Sequence, residues 1–147
     1  MSKAKPRKIE QATEVLLEEL LSSDAPTAYL NRHKFKDRNL GEYLTELAEL
    51  KGLKRSKILS DAGIDYTYGY QLFTGQRTNP SRDKVLQLAF AMGLTIRECD
   101  RLLQAAGKSR LYCKSSRDAI IMFCLDRGTT MDEVNAELFA RREPTLN

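Results

Sequence analysis

The sequence predicts an all-α protein, on three observations. Apolar residues recur at three- and four-residue steps in segment after segment, glycines stand where those segments stop, and almost nothing alternates as a strand would. A chain of 147 residues suffices for one core-bearing domain with appendages. With 30% charged residues and a formal net charge of +4, it reads as soluble and mildly basic, which permits a nucleic-acid partner without requiring one. There is no apolar run of about 18 residues, and MSKAKPRKIEQ leads into an acidic helix rather than a signal peptide. A cytoplasmic protein with no membrane partner is expected.

The elements follow in order. KIEQATEVLLEELLS (residues 8–22) places Ile9, Ala12, Leu16 and Leu20 on one face, widened by Val15, Leu17 and Leu21, and so reads as an amphipathic helix able to dock on the body or on a second copy. A Pro-containing connector with a short helical piece follows, and Arg32, His33, Lys34, Lys36 and Arg38 make it a basic, solvated stretch. LGEYLTELAELKG then forms a helix burying Leu40, Tyr43, Leu44, Leu47 and Leu50, and stops at Gly52. KRSKILSDAG is a shorter helix with Ile58, Leu59 and Ala62 inward and Gly63 closing it. Asp65 is a good N-cap for the next helix, residues 65–74. Two short helices around a glycine turn are the helix-turn-helix signature. SRDKVLQLAFAMG and TIRECDRLLQAAG complete a five-helix set, with stripes Val85, Leu88, Ala89, Met92 and Ile96, Cys99, Leu103, Ala106.

Residues 82–111 align without a gap on residues 117–146. Arg82, Asp83, Gly93, Thr95, Glu98, Leu103 and Leu111 meet Arg117, Asp118, Gly128, Thr130, Glu133, Leu138 and Leu146. A helical hairpin cannot bury its apolar face alone, so the second copy is expected to stack on the first and extend one core. Each copy carries the Thr-x-x-Glu capping box. In each Arg-Asp pair the Asp suits a helix N-terminus and the Arg is expected to pair locally. The organisation is therefore read as residues 1–38 (amphipathic helix and basic connector), 39–107 (helix-turn-helix domain) and 108–147 (a C-terminal hairpin repeating 82–111).

Catalytic and metal chemistry find little footing. The three cysteines, Cys99, Cys113 and Cys124, lack C-x-x-C spacing, and the single histidine, His33, is distant from them in sequence. Cys99 and Cys124 fall on apolar helical faces and read as small buried hydrophobes, with a reactive thiol as the alternative. No acid–base constellation is visible, so no enzyme, metal or cofactor is expected.

Residues 40–94 resemble the Cro/CI-like (XRE-type) helix-turn-helix family of prokaryotic and phage DNA-binding regulators. The resemblance rests on Leu40 with Leu44 and Leu47, the Gly52-Leu53 turn, Gly63-Ile64, Gly75-Gln76-Arg77 running to Pro80-Ser81, and an apolar helix ending in Gly93-Leu94. It covers a little over a third of the chain. Arg55 and Leu59 stand where the family usually has glutamine and alanine, and Gly69 where it has a branched apolar residue. The resemblance implies a five-helix Cro/CI-like bundle whose helix 65–74 enters the major groove of double-stranded DNA. Gly69 and Leu72 then face inward, and Tyr66, Thr67, Tyr70 and Gln71 read base edges. Lys54, Arg55, Lys57, Gln76, Arg77 and Lys84 hold phosphates. Five or six such contacts give log affinity a slope of about −5 against log salt. The expected function is a transcriptional regulator, a repressor acting as a homodimer. The alternative is an antitoxin-like or adaptor module that uses its tyrosines, its N-terminal helix or its C-terminal hairpin on a protein partner.

Overall fold

The computed structural model describes residues 13–32 and 39–147. Among these residues there are nine α-helices and no strand, so the protein is all-helical. None of the helices is long and apolar enough to cross a membrane. The chain divides after Asp37 into two compact units.

The first unit holds α1 (Thr13–Ser22) and α2 (Pro26–Arg32). Val15, Leu17, Leu20 and Leu21 of α1 are exposed and Leu16 is half-buried, so its apolar stripe stays largely in solvent. Ile9 and Ala12, together with the basic residues His33, Lys34, Lys36 and Arg38, lie outside the described residues.

The second unit contains α3 (Leu40–Leu50), α4 (Arg55–Ala62), α5 (Tyr66–Thr74), α6 (Arg82–Met92), α7 (Ile96–Ala105), α8 (Ser116–Asp126) and α9 (Met131–Ala140). Short polar residues set the beginnings of these helices. Asn39, Asp65, Ser81, Thr95, Ser115 and Thr130 each accept a hydrogen bond from the backbone N–H three residues on, a contribution of about 1 kcal/mol per cap. Both expected capping boxes are formed, Thr95 with Glu98 and Thr130 with Glu133. The ends of α4, α5 and α6 fall at glycines in the left-handed region, Gly63, Gly75 and Gly93.

Leu44, Leu47, Ile58, Leu72, Leu86, Leu88, Leu102 and Leu103 are fully buried and form the centre of one continuous core. The expected stripe of α3 needs one correction: Leu50 is 57% exposed. Gly41 and Ala48 are buried on the other side of the Leu44–Leu47 row, so the buried face is rotated towards them and away from Leu50. Lys51, just beyond α3, pairs with Glu98 on the first turn of α7 at 3.2 Å.

The repeat folds as two equivalent hairpins, α6–α7 and α8–α9, with α6 contacting α9 and α7 contacting α8. The Arg-Asp pairs do not pair locally, contrary to expectation. They cross: Arg82 donates to both carboxylate oxygens of Asp118 (2.9 and 2.8 Å), and Arg117 donates to both of Asp83 (2.9 and 3.1 Å). The spare donors repeat the symmetry. Arg82 also reaches the carbonyls of Ser109 and Arg110, and Arg117 those of the corresponding Pro144 and Thr145. Leu111 N–H donates to Asp100 and Leu146 N–H to Asn135, again corresponding positions. Reciprocal contacts between equivalent residues are the mark of a two-fold relation, here inside one chain. Buried Met92, Leu102 and Ala106 of the first copy correspond to exposed Arg127, Glu137 and Arg141 in the second, whereas buried Leu88 corresponds to exposed Phe123, against whose ring the Arg127 guanidinium lies.

Candidate nucleic-acid interface

The helix α5 is held from below and open above. Gly69, Leu72 and Phe73 are buried, whereas Tyr66 is 54% and Tyr70 41% exposed, and Thr67 is exposed beside them. Gln71 is half-buried. Asp65 caps the helix by accepting from Tyr68 N–H at 3.0 Å, so the first turn of α5 already has an anion of its own.

Gly69 permits this seating. A Cβ built on it would lie 2.2 Å from one Leu59 methyl group and 2.8 Å from the other. Leu59, fully buried on α4, fills the volume that a branched residue at position 69 would take. A large residue at 59 and a glycine at 69 are thus matched in size across the α4–α5 contact. Gly69→Val is expected to lower stability by roughly 1–3 kcal/mol through overpacking. Adding Leu59→Ala should recover part of that loss, and denaturant midpoints of the two single variants and the double variant measure the coupling.

The outward edge of α5 is bordered by cations. Tyr66 and Tyr70 stack with ring centres 6.0 Å apart and planes 24° from parallel. The Arg55 guanidinium lies 5.5 Å from the ring centres of both Tyr70 and Phe73. Tyr68 is half-buried with Arg77 and Lys84 each 5.3 Å from its ring centre. Such cation–π contacts are worth about 0.5–1 kcal/mol each at exposed sites and hold the charges beside the tyrosines.

The start of α4 differs from the other helices of its unit. Its N-cap is Lys54, which makes no side-chain cap bond. The first N–H groups of α4 therefore point outward next to Lys54 and Arg55, a combination suited to an anion. Lys57 shares its charge with Asp61 at 3.1 Å, one turn on. Gln76 is exposed just past Gly75. Arg77 is engaged with Gln71: its Nε–H donates to Gln71 Oε1 at 2.6 Å, and its backbone N–H donates to Gln71 O at 3.1 Å. Sequence reasoning missed that coupling. The one available signal was Gly75, whose left-handed φ of 86° turns the chain back along α5.

An open depression running along α3 beside the end of α5 is lined by Glu42, Glu46 and Glu49. Its negative potential disfavours a polyanion there and leaves the α4–α5 edge as the basic approach. Among the described residues, no three His, Cys, Asp or Glu side chains are grouped to hold a metal ion. Burial pushes the Cys99 thiol up to about 12, and burial also raises that of Cys124, so both stay protonated as small apolar groups of the core. Cys113 is exposed. No family model, curated protein or solved structure matches the chain.

Proposed function

We propose that the chain is a sequence-specific DNA-binding regulator, a repressor that reads the major groove with α5 and works as a dimer on a palindromic site. The observation that carries this reading is the exposed Tyr66–Thr67–Tyr70 edge with Gln71 beside it, bordered on one side by the uncapped, cationic start of α4 and on the other by Arg77 and Lys84. Side-chain amides and hydroxyls meet the donors and acceptors of base edges, while lysines, arginines and helix N–H groups neutralise phosphates and fix register. Lys54, Arg55 and Lys84 are the phosphate clamps, and Lys57 and Gln76 are peripheral ones.

Gel-shift titrations of the full chain against oligonucleotides selected from a random pool test this directly. Gln71→Ala should cost about 1–3 kcal/mol on the preferred site and relax preference at one base pair. Arg55→Ala should weaken all sequences alike and lower the salt slope by about 1. If neither variant weakens binding, α5 and α4 are not the DNA-contacting elements.

The stacked Tyr66–Tyr70 pair with Arg55 against it supports a second reading, an adaptor docking a protein through an aromatic and arginine hot spot. A stoichiometric protein partner retained through nuclease and high salt favours that reading, because phosphate-driven binding collapses under those conditions.

A further inference from the structure

We infer that Arg77 is a specificity-determining positioning residue, which orients the Gln71 amide towards its base instead of serving as one more phosphate clamp. The inference rests on the DNA-binding reading above and deepens it. An arginine Nε–H can only donate, so the Gln71 atom facing it must be the oxygen. That bond fixes which end of the amide faces Arg77 and leaves the Nε2 donors for a base edge. A free glutamine on a helix surface samples several rotamers and both amide orientations, and each sampled state dilutes the one that matches a base edge.

Arg77 is itself restrained at three points. Its backbone N–H is bonded to Gln71 O, its Nε–H to Gln71 Oε1, and its guanidinium lies over Tyr68. Lys84, on the first turn of α6, lies against the same ring. A guanidinium with its Nε–H committed to a glutamine and its centre 5.3 Å from a ring has given up much of the freedom with which an exposed arginine follows phosphates.

The experiment compares affinities of the full chain for its selected site, and for every single base-pair variant of that site, in wild type, Gln71→Ala, Arg77→Ala, Arg77→Lys and the Gln71→Ala/Arg77→Ala double variant. Circular dichroism of each checks folding. Arg77→Ala should lose discrimination at the same base pair as Gln71→Ala, by about fivefold or more, and should add nothing further in the double variant. Its salt slope should fall by well under the roughly one unit expected for a lost phosphate contact. Arg77→Lys keeps the charge without the planar fork, and should restore neither the base preference nor the affinity that depends on it. Uniform weakening over all sites, with the slope falling by about one and full recovery by lysine, makes Arg77 a simple clamp and overturns the inference while leaving DNA binding intact. Absence of any preferred site for the wild type overturns both.

Discussion

Gly41→Val is expected to lower stability by about 3 kcal/mol, among the larger costs of placing extra atoms in a filled contact. The cause is backbone. A Cβ on Gly41 would sit 2.8 Å from the Phe73 carbonyl oxygen and 2.9 Å from that of Leu72, with Gly75 N at 3.2 Å. No side chain can turn aside to relieve this, so α5 must move off α3. The contrast with Gly69 is instructive, because there the obstacle is the tip of a leucine. Gly41→Ala should show the same defect more mildly, since better helix propensity returns about 1 kcal/mol. Urea midpoints with unchanged m-values provide the measurement. A Gly41→Val protein as stable as wild type would mean that α3 and α5 do not cross at this distance.

Asp118→Ala is expected to cost roughly 2–4 kcal/mol, because it strands the half-buried Arg82 guanidinium and removes the acceptor for Tyr112 N–H. Asp83→Ala removes only the two bonds from Arg117, at a carboxylate far more open to water, and should cost less, about 1 kcal/mol. The Asp118 side chain is 9% exposed and that of Asp83 38%, and Asp118 accepts the additional bond from Tyr112 N–H. Equal losses at the two sites would show that neither the burial of the carboxylate nor its third bond sets the energy. Burial pushes the Asp118 carboxyl up, but hydrogen bonds from Arg82 and Tyr112 N–H and the charges of Arg82 and Arg117 outweigh it, so the group titrates below its ordinary value of 3.8. A depressed carboxyl stabilises the fold above its unfolded pKa, and that contribution is lost as the pH falls through the folded value. The gap between wild type and Asp118→Ala should therefore be full at neutral pH and close in acid below 3.8. Burial raises Asp100 against its bond from Leu111 N–H and the charges of Arg110 and Arg82, so it acts in the opposite sense. The variant comparison isolates Asp118 from it.

The helices of the second unit were legible because each level of the sequence agrees with the next. Asn39, Asp65, Ser81, Thr95 and Thr130 announce helix starts, glycines announce stops, and the apolar steps between them select the buried face. Leu50 misled because periodicity gives the spacing of a stripe but not where its centre lies, and small residues such as Gly41 and Ala48 carry little hydrophobic signal while allowing the closest packing. The partners of Arg82 and Arg117 were illegible for another reason. Alignment shows that two hairpins are alike, but says nothing about whether they stack by translation or by rotation, and only the rotation brings each arginine to the other copy's aspartate. At the α5 edge, the resemblance implied that Tyr66, Thr67, Tyr70 and Gln71 face outward from Gly69 and Leu72; the first three are exposed, whereas Gln71 is half-buried. The bond from Arg77 to Gln71 depends on the path of a loop, which propensity does not encode.

The crossed arginines also bear on how copies of the chain can meet. Each hairpin owns both halves of a self-matching latch, an arginine and the aspartate beside it, so either one alone would suit a twin on a neighbouring molecule. In the intact chain that berth is already taken by the chain's own tail segment, and any association between molecules has to be built from surfaces elsewhere.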